Sequence, residues 1–247
     1  HYSGLRADLP LGRPWSGYDT AMRMLTAERP DHAPGVAYVY SDENFAVLGE
    51  LVRRVSGQPL DVYCERHVFA PLGMRQTGFR PSAEMMERFA PTFAVPSAGR
   101  VPVVNDPMAR RMGGVAGHAG LFSTADDLAL FATVLLHGGS HRGVRVLNPE
   151  SVATMIEPAS PPDALHPRGL GWDLAAPFTP PEHGGARRPS FGHTGYTGTM
   201  LWVDPASSSY VIVLTNRTHL GGRGDAQPLR RAVLAEVSAA LASAPLT

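Results

Sequence analysis

One stretch near the end of the sequence decides the fold, residues 191–205, which reads Phe-Gly-His-Thr-Gly-Tyr-Thr-Gly-Thr-Met-Leu-Trp-Val-Asp-Pro. Its second half, residues 197–203, alternates small or hydroxyl-bearing residues with large apolar ones, the period-two pattern of a strand. Its first half carries three glycines, which let another backbone or a substrate approach closely. We expect a strand whose edge is a working surface, and the alternative is a glycine-rich strand that opens with a bulge.

Apolar runs on either side of this stretch predict a sheet. Residues 169–174 precede it and residues 209–216 follow it, and the short connection at 204–208 predicts an antiparallel hairpin of the last two strands. Because residues 210–214 are apolar on both faces, we expect a central strand there. A final helix can cover one face with Leu229, Val233, Leu234, Val237 and Leu241. Three strands and one helix make an incomplete sheet, so something else should pair with it or cover it.

The preceding part of the chain reads as helices and loops. Its clearest helix begins at Ser41-Asp42-Glu43-Asn44 and stops at Gly57, and we expect its buried side to consist of Phe45, Leu48, Leu51, Val52 and Val55. Further helices are predicted near residues 19–27, 61–69, 124–137 and 148–156, and residues 80–112 read as long loops with one helical turn near 83–89. The fold class is therefore α+β: a mainly helical lobe over residues 1–165, then antiparallel strands and a helix over 166–247.

Composition excludes several classes of function. With 247 residues and 43% hydrophobic content the chain can bury a large core. Its formal net charge of zero favours neither nucleic acid nor an anionic membrane as a partner. No apolar run reaches the ~18 residues of a membrane span, no stretch reads as a signal peptide, and the compartment is left open. The single cysteine, Cys64, excludes an internal disulfide and reads as a packing residue.

Lysine is absent from the sequence, and all 22 basic residues are arginine. Any mechanism that needs a lysine must therefore find it outside these residues. The chain also begins at His1 and not at methionine, which favours the reading that it is a piece of a longer protein.

Four motifs in order resemble the serine hydrolases related to class C β-lactamases, penicillin-binding proteins and their esterase relatives. They are Tyr40-Ser41-Asp42, the Gly-Gly-Val-Ala-Gly-His-Ala-Gly-Leu-Phe-Ser-Thr segment at 113–124, Gly-Leu-Gly-Trp at 169–172, and His193-Thr194-Gly195. The resemblance implies one two-lobed catalytic domain, with a helical lobe inserted beside an antiparallel sheet and an active site between them. It implies a small-molecule or peptide acyl substrate and no cofactor or metal.

The chemistry implied by the resemblance is acyl transfer. In the family, the serine of a Ser-x-x-Lys motif attacks a carbonyl, lysine and tyrosine move the proton, and backbone N–H groups stabilise the oxyanion. Carried over by motif, Tyr40 would assist proton transfer, with its pKa lowered by neighbouring cations. Asp42 takes the place usually held by an asparagine that hydrogen-bonds the substrate amide and the lysine.

The working strand of the family carries Lys-Thr-Gly where this sequence has His193-Thr194-Gly195. The resemblance implies that His193 lines the pocket, that Thr194 and Gly195 belong to the substrate-binding strand, and that the backbone N–H of Tyr196 is an oxyanion donor. Ser-x-x-Lys occurs nowhere in these residues, and in the family it lies upstream of the Ser-Gly-Leu found here at residues 3–5. We therefore expect that the nucleophile lies on a missing N-terminal segment and that this chain alone is inactive.

Each site residue also has a structural reading. Tyr40 could end a strand with its hydroxyl bonded locally, Asp42 could satisfy the N–H groups of a helix start, and His193 could be a buried structural histidine. For His118, between glycines, packing is the favoured reading. A metal hydrolase has little support, because no acidic cluster accompanies the histidines.

A noncatalytic protein that binds a peptide or an amide is the second functional reading. For an enzyme, Asp42 in place of asparagine puts an anion where β-lactam recognition wants an amide, so an ester or a D-amino-acid peptide is preferred as substrate, with no choice between those two. An uncovered sheet edge would also favour self-association.

Overall fold

The computed structural model describes residues 1–92, 104–161, 164, 167–175, 189–219 and 224–243. The chain divides into two compact units, His1–Thr124 and Ala125–Thr247. This division falls before the predicted helix at 124–137, whereas the sequence pattern changes character only after residue 165. Within the described residues, no helix has the length and apolar character needed to span a membrane.

The first unit is mainly helical. Its helices are α1 (Tyr18–Ala27), α2 (Asp42–Ser56), α3 (Leu60–Cys64), α4 (Ala70–Leu72), α5 (Ala83–Met86) and α6 (Pro107–Arg111), with a π-helical turn over Glu65–Phe69. Two short strands, β1 (Gly78–Phe79) and β2 (Leu121–Phe122), pair antiparallel. As predicted, α2 begins after Ser41, whose Oγ accepts a hydrogen bond from the Asn44 N–H at 3.3 Å, and it stops at Gly57 in the left-handed conformation.

The buried side of α2 differs from the prediction. Three residues of the expected stripe are exposed, Leu48 by 50%, Leu51 by 53% and Val55 by 81%, and the buried residues are instead Glu43, Ala46, Gly49 and Glu50. The reason is a close backbone approach, because a Cβ on Gly117 would lie 1.9 Å from the Phe45 carbonyl oxygen. At Ala46 and Gly49 only small residues fit beside that backbone, so the large apolar residues face away.

The core of the first unit lies on the small-residue side of α2. Its buried members come from the N-terminal segment, α1, α2, α6 and the chain that follows α6: Leu9, Ala21, Met22, Leu25, Ala46, Met108, Ala109, Met112 and Ala116. The segment of residues 1–8 is held beside residues 31–42 by backbone hydrogen bonds, including Asp42 N–H to Ala7 O at 2.8 Å. That pairing fixes the backbone on both sides of Tyr40.

The second unit is a four-stranded antiparallel sheet with helices. Its elements are α7 (Ala125–Leu136), β3 (Ser140–His141), β4 (Val144–Arg145), α8 (Pro149–Ile156), β5 (Asp173–Ala175), β6 (Ser190–Thr194), β7 (Met200–Asp204), β8 (Ser209–Val213) and α9 (Gln227–Ser243). The sheet order is β5-β6-β7-β8, and β3 and β4 form a separate hairpin. The prediction of one strand through residues 197–203 is wrong, because the stretch is two strands, β6 and β7, joined by a tight turn over residues 195–199.

The predicted hairpin of the last two strands is confirmed, with Asp204 opposite Ser209 in the register of β7 and β8. The prediction that β8 is central is wrong within the described sheet, where β8 is an end strand. Both faces of β8 are nevertheless covered, since α9 packs on one face of the sheet and α7 contacts β7 and β8. Self-association through the open edge stays a prediction.

The sheet is covered by more of its own chain than the sequence suggested. On one face, Phe191 and Val203 pack with Leu135 of α7 and Ile156 of α8. The other face receives Val233, Leu234, Val237 and Leu241 of α9, as predicted. Two helices assigned to the helical lobe therefore belong to the sheet's core.

Truncation of Leu135 should destabilise the protein far more than truncation of Leu229, since Leu135 is 3% exposed in the core and Leu229 is 48% exposed. We expect Leu135→Ala to lower the free energy of unfolding by about 2–5 kcal/mol through lost burial and a cavity. Leu229→Ala, the matched control, should cost less than about 1 kcal/mol. Urea unfolding measures both, and equal losses would contradict the assignment of the core.

Candidate functional site

The turn between β6 and β7 is closed by its own chain. The Gly195 N–H donates to the Thr199 carbonyl at 2.7 Å, and the Gly198 N–H donates to the Gly195 carbonyl at 3.1 Å. The Thr215 hydroxyl, which follows β8, donates to the Gly198 carbonyl at 2.7 Å. These bonds hold the turn in one conformation.

Two arginines satisfy the remaining carbonyls of this turn. Arg230 Nη2, from the first turn of α9, donates to the Gly195 carbonyl at 2.7 Å and to the Thr199 carbonyl at 2.8 Å. Arg217 Nε donates to the Tyr196 carbonyl at 2.5 Å, and the Arg217 backbone N–H donates to the Thr197 carbonyl at 2.8 Å. The Arg217 guanidinium also lies over the Tyr196 ring, 4.2 Å from its centroid. All five carbonyls of the turn therefore accept hydrogen bonds.

Three amides of the same turn have no such partner. Within the part of the chain that the structure describes, the N–H groups of Tyr196, Thr197 and Thr199 find no hydrogen-bond acceptor. Satisfied carbonyls beside unused N–H groups make a local concentration of positive potential, which suits an anion or a developing oxyanion.

The glycines of β6 and its turn make room for the protein's own chain. A Cβ on Gly192 would lie 2.4 Å from the Trp202 ring and from the Leu201 carbonyl. On Gly195 it would lie 2.1 Å from Thr199 Oγ1. The expectation that glycine admits another backbone is confirmed at Gly192, and at Gly195 the nearest neighbour is the Thr199 hydroxyl.

His193 and Thr194 lie at the end of β6, just before the turn. The ladder with β5 ends at the pair Asp173–Gly192, so it does not reach Thr194. His193 Nδ1 lies 2.9 Å from the Thr194 carbonyl, and since a carbonyl only accepts, Nδ1 carries the proton. Burial lowers the pKa of His193, Asp173 raises it and Arg168 lowers it. At neutral pH the ring is thus a neutral hydrogen-bonding group, where the family strand has a cationic lysine.

Tyr40 belongs to the first unit and lies on an extended segment outside any strand, with 47% of its surface exposed. Its ring stacks on the His1 ring, with centroids 4.3 Å apart and an interplanar angle of 29°. His1 also accepts the Ser41 N–H on Nδ1 at 3.0 Å and receives the Val39 N–H on its carbonyl at 2.9 Å. The backbone around Tyr40 is therefore fixed on both sides while its phenol edge reaches the surface.

Asp42, the first residue of α2, lies in a cluster of titratable side chains. One ligand atom each of Asp42, Asp106 and His118 lies within 4.8 Å of the others. His118 Nε2 is 2.9 Å from Asp106 Oδ1, and that same oxygen accepts the Ala109 N–H at 2.6 Å as the cap of α6. The sequence reading that no acidic cluster accompanies a histidine is wrong here. These residues could surround a cation, but the Asp106 oxygen facing His118 is already bound twice.

The protonation of Asp42 follows from this cluster. Burial raises the pKa of Asp42 to about 6; His118 opposes the rise, whereas Asp8 and Asp106 add to it. Asp42 is a first-turn carboxyl of α2, and below about pH 6 its group can donate a hydrogen bond, as an asparagine amide does. Its role toward a substrate stays a prediction.

Cys64 behaves as predicted for a packing residue. Burial, and to a smaller extent Asp61, raises the pKa of its thiol to about 11. The thiolate is therefore scarce at neutral pH, which argues against a nucleophilic role.

Several site residues were not predicted from the sequence. Asp106 carries a signal, because an aspartate directly before Pro107 reads as a helix cap. Asp8, Arg217 and Arg230 carry none, since their roles depend on partners far away in the sequence. His118 was noted in its glycine-rich motif, but its aspartate partner was not.

The described fold, an antiparallel sheet covered by helices together with a mainly helical unit, is that of the β-lactamase and transpeptidase-like serine hydrolases. The family described as Beta-lactamase matches residues 1–236, and the chain belongs to that family.

Individual relatives agree with this assignment. A Salmonella schwarzengrund protein named "Putative D-alanyl-D-alanine carboxypeptidase" is 33% identical over 221 residues, covering 81% of this chain and 50% of the relative. The solved structure of EstCE1, a hydrolase with promiscuous acyltransferase activity, has a TM-score of 0.65 at 21% identity and covers 95% of this chain and 69% of its own. An octameric penicillin-binding protein homologue from Pyrococcus abyssi has a TM-score of 0.64 at 21% identity, covering 91% and 48%. The chain spans about half the length of the curated relatives it matches.

The raised pKa of Asp42 predicts a pH-dependent stability. The folded state holds this proton to about pH 6 and the unfolded state releases it near pH 4, so the contribution to stability is greatest at low pH and falls as pH rises between them. Asp42→Asn should remove its own part of the slope, leaving the part due to Glu43, whose pKa burial raises to about 7. The substitution should raise the free energy of unfolding at pH 7 by about 1–2 kcal/mol, after allowance for solvent screening.

The measurement is urea unfolding between pH 4 and pH 8. Asp19→Asn removes an exposed carboxylate from the first turn of α1 and serves as the matched control. An Asp42→Asn variant that keeps the wild-type slope would show that another group titrates.

Proposed function

We propose that this chain carries the secondary catalytic and substrate-binding residues of a serine acyl hydrolase. In this proposal the Tyr196 N–H is an oxyanion donor, and Tyr40 moves the proton to and from the attacking serine and the leaving group. Asp42, His193, Thr194 and Gly195 serve the substrate. The observation that carries the proposal is the β6–β7 turn, where the carbonyls accept hydrogen bonds and the Tyr196 N–H has no acceptor among the described residues.

The turn suits the transition state better than the substrate. When a serine oxygen adds to an ester or amide carbonyl, that carbonyl oxygen gains a negative charge. A rigid N–H donor stabilises the charged oxygen more than the neutral one, so it lowers the barrier and does not merely bind substrate. Loss of one such donor costs about 10²–10³ in kcat in well-studied hydrolases.

The nucleophile is the part that these 247 residues lack. The family motif Ser-x-x-Lys needs a lysine, and the sequence contains none. An arginine cannot replace it as a proton acceptor, because a guanidinium does not lose its proton in proteins. We propose that the 247-residue chain is inactive by itself.

The substrate class we propose is an ester or a D-amino-acid peptide. The carboxypeptidase name of the 33% identical relative supports the peptide, and the hydrolase EstCE1 shares the fold. Asp42, with a pKa of about 6, is mostly an anion at neutral pH, which disfavours β-lactam recognition through an amide at this position.

A noncatalytic binder is the second candidate, and a degenerate upstream Ser-x-x-Lys motif would favour it. The same unused amides could hold a carboxylate or a carbonyl oxygen without any reaction. Two observations distinguish the two functions. One is whether the complete coding region contains an intact Ser-x-x-Lys motif, and the other is whether the protein it encodes hydrolyses an ester.

The 247-residue chain should hydrolyse neither p-nitrophenyl butyrate, nor a chromogenic cephalosporin, nor an acylated D-Ala-D-Ala peptide above the buffer rate. The physical reason is the absence of a serine paired with a lysine. Release of the chromophore or of D-alanine measures this. Turnover by the pure chain that disappears in Tyr40→Phe would refute the proposed inactivity.

In the product of the complete coding region, Tyr40→Phe should lower kcat by about 10²–10⁴ through loss of proton transfer, with a smaller change in KM. Tyr38→Phe is the matched control, because Tyr38 lies on the same segment and also packs against His1. Activity that survives in Tyr40→Phe to the level of Tyr38→Phe would exclude the role of Tyr40. Activity lost to a chelator in both would indicate the metal-hydrolase alternative.

A further inference from the structure

Arg230 is a buried cation devoted to one turn of the backbone. It is 6% exposed, and both of its assigned hydrogen bonds go to carbonyls of the β6–β7 turn, Gly195 and Thr199. It forms no salt bridge with a carboxylate of the described chain. The charge of Asp225 favours the protonated guanidinium. Burying it without a direct ion pair is still unfavourable, so its position needs a reason beyond packing.

The first of these carbonyls belongs to the same peptide group as the proposed oxyanion donor. The Gly195 carbonyl and the Tyr196 N–H are the two ends of one conjugated amide. We propose that Arg230 is a positioning residue that strengthens the Tyr196 N–H as an oxyanion donor by binding the carbonyl of that amide, an inference that rests on the function proposed above.

Amide conjugation transmits the effect. A cationic donor at the carbonyl oxygen draws electron density from the amide nitrogen, which makes the attached hydrogen more positive. Hydrogen bonds of an ionised group are roughly twice as strong as neutral ones, and serial bonds strengthen one another by about 10–30%. Burial and Arg217 lower the pKa of Arg230, but a guanidinium stays protonated in a protein. The polarisation therefore persists across the working pH range.

The second bond of Arg230 fixes the width of the turn. By holding Gly195 and Thr199 together, it adds to the Gly195 N–H to Thr199 carbonyl bond of 2.7 Å. Arg217 acts on the next peptide, since it binds the Tyr196 carbonyl, whose partner N–H belongs to Thr197. Each arginine thus polarises a different amide of the turn.

The test is the amide NMR spectrum of the isotope-labelled 247-residue chain with Arg230→Gln, Arg230→Lys and Arg231→Gln. Arg230→Gln should move the Tyr196 nitrogen and proton and the Gly195 carbonyl carbon upfield. The Met200 amide, which follows the Thr199 carbonyl, should move in the same direction. Arg230→Lys keeps the charge and should restore part of the shift. Arg231→Gln removes an exposed arginine from the next position of α9 and should leave these signals unchanged.

Two results would overturn the proposal. One is a folded Arg230→Gln protein whose Tyr196 and Gly195 signals match those of Arg231→Gln. The other concerns both variants: Arg230→Gln loses the signals of the turn, and Arg230→Lys keeps the turn but restores none of the Tyr196 and Gly195 shifts. Arg230 would then be structural only.

In the product of the complete coding region, Arg230→Gln should lower kcat about two- to tenfold with little change in KM, because one of several oxyanion interactions is weakened and not removed. The spectrum and the kinetics answer separate questions. Shifted Tyr196 signals without hydrolysis by any form would sustain the polarisation and refute the proposed function, whereas hydrolysis with an unchanged spectrum and unchanged kcat in Arg230→Gln would do the reverse.

Discussion

The hydrogen bonding of five consecutive peptide groups between β6 and β7 is the constraint that fixes the turn at residues 195–199. A tight turn between paired strands ordinarily exposes carbonyls and amides to water alike. Here Arg217, Arg230, Thr215 and the turn's own amides bind its carbonyls. The carbonyls of the turn therefore have partners, whereas the N–H groups of Tyr196, Thr197 and Thr199 have none among the described residues. In the strand before the turn, Gly192 pairs with Trp202, and a side chain at Gly192 would clash with the Trp202 ring.

The sequence predicted the local structure wherever neighbouring residues determine it. Ser41 and Gly57 bound α2 because a cap and a left-handed stop act within a few residues. The Asp204–Ser208 connection likewise defines the β7–β8 hairpin. The resemblance in four motifs gave the fold class and the family, which the comparisons confirm.

Long-range packing explains what the sequence did not predict. The apolar stripe of α2 has the period of a buried face, but the backbone of residue 117 occupies the opposite side, so burial follows the small residues and not the large ones. The sequence around Gly195 predicted a strand because small and large residues alternate from residue 197 onward. The turn at residues 195–199 depends instead on hydrogen bonds from Arg217 and Arg230, which are distant in sequence. Arg230 has no local signal, since a helical arginine next to Arg231 is indistinguishable in sequence from a solvated one.

The absence of lysine, with all 22 basic residues being arginine, limits the chemical roles open to the basic side chains. Arginine can bind carbonyls and stack on Tyr196, but it cannot accept a proton, so the proposed function gives proton transfer within these residues to Tyr40. Burial shifts the pKa values of two other titratable residues, His193 and Asp42, in opposite directions. Burial keeps His193 neutral by lowering its pKa, and it favours the neutral form of Asp42 by raising its pKa to about 6. At neutral pH His193 is therefore a neutral hydrogen-bonding group, whereas Asp42 is still mostly an anion and becomes neutral only below about pH 6. The arginines that bind the turn stay charged at both pH values.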